Sequence, residues 1–149
     1  MNKNQENRNK HFAHALRLAK KALACAEVPV GALILKEGEV IATGYNTKEH
    51  KHDIFGHAEI TALKKATKRL KTWKLEDCVL ISTLEPCVLC AAAIAVARVK
   101  ECIFLAKDPT VFSQKIRKEI FLQPTAHTKL TFVKVDEAGE LLKKFFKRL

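Results

Sequence analysis

The chain has 149 residues, of which 48% are hydrophobic and 29% are charged, a composition typical of one folded domain and unlike that of disordered or fibrous proteins. Its 27 lysines and arginines outnumber its 16 aspartates and glutamates, and the net charge of +11 favours polyanionic partners. The first ten residues are polar and lack the apolar core of a signal peptide. The longest apolar run, 88–97, is too short to span a bilayer. We therefore expect a single cytoplasmic domain over 1–149 that does not enter a membrane.

Predicted helices and strands alternate along the chain. Residues 1–10 are expected to form a disordered terminus, and apolar residues at helical spacing predict a first helix over 11–26. Runs of aliphatic and β-branched residues predict five strands, at 31–35, 40–45, 78–83, 101–105 and 130–135. Periodic or alanine-rich segments predict further helices, at 57–68, 87–98 and 141–149. The segment 108–128 has the weakest secondary-structure pattern in the chain.

The spacing of these elements predicts how the strands pair. The turn at 36–39 joins the first two strands as an antiparallel hairpin. The strands at 78–83 and 101–105 flank a helix, which is the βαβ arrangement of a parallel pair. The sequence therefore predicts an α/β fold with three layers, in which a five-stranded mixed sheet has helices on both faces.

Positive charge is concentrated in three segments. Residues 1–26 carry six basic side chains and one acidic one, residues 60–75 carry six basic side chains, and residues 141–149 carry four. The second and third segments contain no acidic residue. Any one of them is as consistent with a solvated helix face as with a binding surface, but together they favour contact with nucleic acid.

Two short motifs carry the side chains expected of a metal site. Cys87 and Cys90 follow Pro86, so a helix that begins there places both thiols on one side of its first turn, where the helix dipole lowers thiol pKa values. His57 begins another predicted helix. One imidazole and two thiolates suit a tetrahedral zinc ion, and three protein ligands leave a position open for water, as in catalytic zinc sites.

Glu59 follows His57 by two residues, close enough to reach a metal-bound water without ligating the metal. Zinc lowers the pKa of its water to about 7, and a carboxylate beside it can accept that proton and pass it on. This combination predicts hydrolytic attack on an amidine-like carbon.

Other interpretations of the cysteines and histidines remain open at this point. Cys87 and Cys90 could form a redox-active pair, and His50 or His52 could complete a closed structural zinc site. The order of the two motifs, each at the start of a helix, favours the catalytic interpretation. The remaining cysteines lie in apolar sequence and are expected to be reduced core residues: Cys25, Cys78 and Cys102.

The string His57-Ala58-Glu59, followed by Pro86-Cys87 and Cys90, matches the H-x-E…P-C-x-x-C signature of the zinc nucleobase deaminases. From about residue 12 onward the chain resembles, more narrowly, the bacterial tRNA-specific adenosine deaminases. The strings that carry this resemblance are Glu27-Val-Pro-Val-Gly-Ala32, Gly44-Tyr-Asn46, His52-Asp53, Thr83-Leu-Glu-Pro-Cys87 and the ending Leu141-Leu142…Phe145-Phe146.

The resemblance implies roles for the residues of the two motifs. His57, Cys87 and Cys90 would bind one zinc ion, and Glu59 would transfer protons. Ala58 would offer its backbone N–H to the base or to the leaving-group region.

It also implies roles outside the motifs. Asn46 would hydrogen-bond the target base, although it could instead cap a turn. Phe145 and Phe146 would pack near the substrate, although a core-facing stripe explains them equally well. Glu85 is expected to be structural, because it precedes the proline that starts a helix.

The implied activity is hydrolytic conversion of adenosine to inosine at the wobble position of a tRNA anticodon loop, by a homodimer whose partner is the tRNA anticodon stem-loop. Zinc-activated water would attack C6 of a flipped-out adenine while Glu59 protonates N1, and ammonia would leave. One alternative is a zinc-dependent deaminase of free nucleobases or nucleosides, of guanine or cytosine type. Another is a catalytically silent RNA-binding subunit, against which the presence of Glu59 argues.

The chain departs from the family's usual pattern in two loops. The family has a glycine-rich stretch with a lysine after the aspartate that corresponds to Asp108, whereas this chain reads Asp108-Pro-Thr-Val-Phe-Ser-Gln and has no glycine between Gly56 and Gly139. Gly56 replaces the usual alanine, and Ile54 replaces a common proline. These loops are expected to shape substrate access and dimer contacts.

Overall fold

A computed structural model describes residues 1–147 as a five-stranded sheet between two layers of helices. The strands lie in the order β2-β1-β3-β4-β5, with the bounds β1 (Gly31–Lys36), β2 (Glu39–Tyr45), β3 (Cys78–Ser82), β4 (Glu101–Phe104) and β5 (Lys129–Phe132). β1 is antiparallel to both β2 and β3, whereas β3, β4 and β5 are parallel to one another. The predicted mixed sheet and the predicted parallel pair are confirmed.

Six helices connect or flank these strands in the described part of the chain: α1 (Lys3–Ala24), α2 (Lys48–Lys51), α3 (Ala58–Leu70), α4 (Val88–Val96), α5 (Val111–Phe121) and α6 (Asp136–Phe146). α3 and α4 cover one face of the sheet, where Leu63 and Ile94 pack with Ile34. α1 and α6 cover the other face, where Leu16 and Leu141 pack with Leu33. Because successive strand residues point to opposite faces, the buried run of β1 supplies both cores.

The amino terminus is helical, so the prediction of a disordered segment over 1–10 is wrong. α1 begins at Lys3 because Asn2 caps it: the Asn2 side chain accepts the backbone N–H of Gln5 at 2.9 Å, and the Gln5 side chain accepts the N–H of Asn2 at 3.2 Å. This reciprocal capping box satisfies two N–H groups that the helix itself leaves unpaired. The first ten residues are exposed, so no apolar periodicity marks their helix in the sequence.

Cys25 is exposed, in contrast to the core position expected for it. It is the C-cap of α1 and is followed by Ala26 with φ 59°, the left-handed residue at which the helix ends. Cys78 and Cys102 are buried as predicted, and burial raises the pKa of both thiols, which keeps them neutral.

The weakly patterned segment 108–128 contains α5, which packs against α4. α2 is not predicted by the sequence. It depends on Glu27, whose buried carboxylate accepts the backbone N–H groups of Glu49 and His50 at 2.9 and 2.6 Å. The last predicted helix begins earlier than expected, at Asp136, and Arg148 and Leu149 lie outside the described residues.

No helix within residues 1–147 is both long enough and apolar enough to cross a membrane.

Candidate active site

The structure brings His57, Cys87 and Cys90 together. Their ligand atoms all lie within 4.8 Å of one another. His57 is the N-cap of α3 and Cys87 is the N-cap of α4, so two helix starts meet at one point on the α3–α4 side of the sheet. Both caps have extended backbone, which lets their side chains turn away from the helix that each begins.

The spacing of these atoms fits a tetrahedral metal ion. Sγ of Cys87 lies 3.7 Å from Nδ1 of His57. Zinc bonds of about 2.3 Å to sulfur and about 2.1 Å to nitrogen place two tetrahedral ligands about 3.6 Å apart. Among the described residues neither His50 nor His52 belongs to this group, which favours a site with three protein ligands over a closed site with four.

The electrostatics of the group centre on Cys87. A hydrogen bond from Cys90 lowers the pKa of the Cys87 thiol to about 4, with further lowering by His57 and by the backbone N–H of Cys90. The same contacts raise the pKa of Cys90 and of His57, because each keeps a proton that it shares with the Cys87 thiolate.

Glu59 lies in the first turn of α3, with its side chain beside Cys90. It is only 4% exposed, and burial raises the pKa of its carboxyl group to about 7. Its oxygen atoms are not part of the converging ligand set. A buried carboxyl group beside such a ligand set, but outside it, can exchange protons without binding an ion.

Asn46 and Ala58 contact each other. The Ala58 backbone N–H donates to Oδ1 of Asn46 at 2.8 Å, and Nδ2 of Asn46 donates to the Val28 carbonyl at 3.0 Å. Asn46 therefore caps the start of α3, a role similar to the turn-capping role given above as its alternative. The Ala58 N–H, which was expected to face the substrate, is already hydrogen-bonded to Asn46. An amide group has two protons, and the second proton of Asn46 has no partner among residues 1–147.

Phe145 and Phe146 belong to the opposite layer. Phe145 packs with the α1–α6 cluster on the face of the sheet away from α3 and α4, so the core-facing alternative describes it. Phe146 is 56% exposed and packs edge-on against Phe145, with 5.2 Å between the two ring centroids. The structure does not bring either ring to the His57–Cys87–Cys90 group, because α6 lies on the other side of the sheet.

Sequence reasoning missed Arg117 of α5. This arginine is 3% exposed, and its guanidinium contacts Glu85 at 3.3 Å and Asp108 at 3.2 Å. Oε1 of Glu85 also accepts the backbone N–H of Asp108 at 3.0 Å. Glu85 is two residues before Cys87, so this buried ion pair joins the segment that leads to Cys87 to α5. The contact agrees with the structural role expected of Glu85. A single arginine in a weakly patterned segment carries no signal of this contact.

The chain is similar to known deaminases in its sequence. The MafB19-like deaminase family matches residues 6–149. The chain is 43% identical over 137 residues to the tRNA-specific adenosine deaminase of Aquifex aeolicus, covering 91% of each chain.

Two solved structures are similar in both fold and sequence. A tRNA:A34 deaminase, described for A-to-I editing at the wobble position of transfer RNA, is 36% identical with a TM-score of 0.77, covering 89% of this chain and 99% of that one. A guanine deaminase from Bacillus subtilis is 31% identical with a TM-score of 0.64, covering 99% of this chain and 94% of that one.

Proposed function

The chain belongs to the MafB19-like deaminases and, among them, to the tRNA-specific adenosine deaminases, and on this premise we propose that it hydrolyses adenosine to inosine at the wobble position of a tRNA anticodon loop. The observation that carries the proposal is the convergence of His57, Cys87 and Cys90 beside a buried Glu59. This donor set and this buried carboxyl group suit hydrolytic deamination of a base.

We propose that His57, Cys87 and Cys90 hold one zinc ion per chain. Their donor atoms, one imidazole nitrogen and two sulfurs, are those that zinc prefers, and their separation fits tetrahedral bonding. Zinc bound by three protein ligands supplies the reaction with a water of lowered pKa as its nucleophile.

Glu59 moves the protons of the reaction. Its carboxylate takes one proton from the attacking water and delivers it to N1 of the adenine ring, which makes C6 more electrophilic. A second proton passes through the same carboxyl group to the exocyclic nitrogen, which leaves as ammonia. Adenosine and water thereby give inosine and ammonia with no proton gained or lost. Burial of Glu59 keeps bulk water from exchanging with the protons that it holds.

We propose that Asn46 contacts the base. Its Oδ1 is fixed by the Ala58 N–H and one amide proton is fixed by Val28, so the amide plane is held rigidly at the start of α3. The remaining amide proton is the donor that we assign to a ring nitrogen of the flipped base. Ala58 then acts by positioning Asn46.

The substrate class follows from charge and from the cost of extruding a base. Three basic segments on a chain of net charge +11 favour an RNA over a neutral free base. The anticodon loop presents unpaired bases, which lowers the free energy needed to flip one into the site. We propose the cytoplasm, where tRNA is used, as the location.

We also propose that the chain acts as a homodimer. α4 begins at the metal site and exposes aliphatic surface along its length, with Val96 71% exposed and Leu89 exposed as well. Such a surface on a helix rich in alanine suits close packing against a second copy, and two-fold dimers are the commonest oligomers.

Guanine deamination is the second candidate, because a guanine deaminase is similar over almost the whole chain. The test is to incubate purified protein with an anticodon hairpin that carries its adenosine at the wobble position, and to measure inosine. We expect inosine formation that falls steeply with salt, with a slope of log K against log salt of roughly −3 to −4 if four or five charges meet phosphates. Guanine turnover without hairpin turnover would support the second candidate.

A further inference from the structure

A buried arginine joins the two segments that follow β3 and β4. Arg117 of α5 is 3% exposed, its Nη2 lies 3.3 Å from Oε1 of Glu85, and its Nη1 lies 3.2 Å from Oδ2 of Asp108. Glu85 follows β3 and Asp108 follows β4. Because these strands are parallel neighbours, both segments leave the sheet at the same edge. One guanidinium group therefore holds together two segments that come from adjacent strands.

Stability alone does not account for this buried cation. Nε and Nη2 of Arg117 form no hydrogen bond within residues 1–147, so its contacts compensate only part of the free energy needed to remove the cation from water. Apolar side chains of similar volume in place of a buried ionic group are often equally stable or more stable. The ionic group thus points to a role in fixing the geometry of the segments that it joins.

Glu85 carries this constraint towards Cys87. The backbone N–H of Glu85 donates to the carbonyl of Ala106 at 2.8 Å, and its Oε1 accepts the N–H of Asp108 at 3.0 Å. Both the backbone and the side chain of Glu85 are thus fixed to the segment after β4. Only Pro86, which is buried and whose ring fixes φ, lies between Glu85 and Cys87. The position of Glu85 therefore restricts the position of the Cys87 thiol.

Asp108, at the other side of the guanidinium, is fixed as well. Its Oδ1 accepts the backbone N–H and the hydroxyl of Thr110 at 3.0 and 2.7 Å. Its carbonyl accepts Nε2 of Gln114, in the first part of α5, at 3.0 Å. Asp108 thereby attaches the start of α5 to this edge of the sheet. Arg117 thus reaches Glu85 from a helix that is itself attached there.

We propose that Arg117 is a positioning residue for Cys87, which it holds in place as a zinc ligand by acting through Glu85. The inference rests on the proposed function, since it assumes a zinc ion at the group of His57, Cys87 and Cys90. It assigns to α5, a helix that contributes no residue to that group, an influence on how long the ion is retained. Loss of a residue that orients a metal ligand typically costs about 10- to 100-fold in metal affinity or activity.

The rate of zinc release tests this role. Zinc-loaded protein is mixed with an excess of a colorimetric chelator at a temperature at which every variant is folded, and transfer of zinc is followed over time. We expect Arg117→Met to release zinc about tenfold faster than wild type. Arg117→Lys keeps the charge, but one ammonium group lacks the fork geometry that meets both carboxylates. Its rate should therefore lie between those of wild type and Arg117→Met.

Leu141→Ala separates positioning from a general loss of stability. Leu141 is buried in the α1–α6 core, on the face of the sheet away from α3 and α4, and its truncation destabilises the protein by leaving a cavity. We expect this variant to release zinc at the wild-type rate.

Glu85→Gln tests the route from Arg117 to Cys87, because it removes the charge through which Arg117 acts. This variant should also release zinc faster than wild type. Arg117→Met in the Glu85→Gln background should add less than about twofold, since both changes break the same contact.

Two results would overturn the positioning role: zinc release from Arg117→Met at the wild-type rate, or an equal acceleration in Leu141→Ala. Zinc-loaded wild type that fails to deaminate the hairpin would contradict the proposed function and leave this test intact. If wild type binds no zinc, amide hydrogen exchange over 84–91 tests the role without the metal. Faster exchange there in Arg117→Met but not in Leu141→Ala supports the role, and the same exchange in both variants overturns it.

Discussion

Nδ1 of His57 lies 3.7 Å from Sγ of Cys87, although the two residues are thirty positions apart along the chain. Each residue is the N-cap of a different helix, and α3 and α4 lie side by side on the same face of the sheet. The sheet therefore positions the proposed metal ligands, and the site depends on the packing of two short helix starts.

We predict one tightly bound zinc ion per chain, lost when both sulfur ligands are removed. The Cys87→Ala, Cys90→Ala double variant leaves a single imidazole, which cannot retain the ion during purification. Elemental analysis after purification without chelator measures the metal content. Cys25→Ala removes an exposed thiol outside the group and should keep one zinc; full zinc retention in the double variant would refute the ligand assignment.

Glu59→Gln should keep the zinc and the fold but lose about 10²- to 10⁴-fold in turnover, the usual contribution of a general acid–base group. The amide has the same shape as the carboxyl group but cannot carry protons between water and base. Inosine formation under single-turnover conditions measures the loss. Glu119→Gln, an exposed glutamate on α5, is the control and should react like wild type. More than a tenth of wild-type activity in Glu59→Gln would show that another group transfers the protons.

Arg117→Met should lower the free energy of unfolding by about 3 kcal/mol, because it leaves two carboxylates facing each other without their buried cation. Urea unfolding measures this difference. Lys118→Met changes the neighbouring, exposed residue of the same helix and should have little effect. An equal, small loss in the two variants would contradict the account of this ion pair.

The pH dependence of stability also tests the ion pair between Arg117 and Asp108. Burial alone would raise the pKa of Asp108, but hydrogen bonds from Thr110 and Arg117 hold it below its usual value. A lowered pKa in the folded state stabilises the protein at neutral pH, and this stabilisation is lost as the pH falls through the folded pKa. Arg117→Met should therefore lose less stability on acidification than wild type does.

We predict that the protein has the mass of two chains in light scattering at micromolar concentration. Val96→Lys places a charge on the exposed aliphatic surface of α4 and should shift the mass toward one chain. Ala13→Lys adds the same charge on the exposed side of α1 and should leave the mass unchanged. A wild-type mass of one chain would exclude the dimer at that concentration.

The architecture and the grouping of His57, Cys87 and Cys90 were predictable because they depend on local patterns. His57, Cys87 and Cys90 are identified by residue type and spacing, and strands such as β1 and β3 are continuous apolar runs. Their meeting in space then follows from the βαβ rule and from the helix starts.

The features that were missed depend on contacts between distant residues or on polar groups. Arg117 lies in a segment with little periodicity and pairs with Glu85, thirty-two positions earlier in the chain. Phe132 of β5 stacks on a ring of β4 only through the parallel register of the two strands. The start of α1 depends on the side chain of Asn2 and buries nothing. Phe145 has the apolar spacing of a residue on the core-facing side of a helix, and it packs against the core and not near the candidate active site.

The central claim is that the substrate is structured RNA, and the most direct measurement compares kcat/KM for an anticodon hairpin with adenosine at the wobble position against adenosine, cytosine and guanine under the same conditions. We expect the hairpin to be deaminated fastest, because its phosphates would contact the basic surface and its unpaired adenosine would enter the site at low free-energy cost. Faster turnover of any free base or nucleoside than of the hairpin would contradict it.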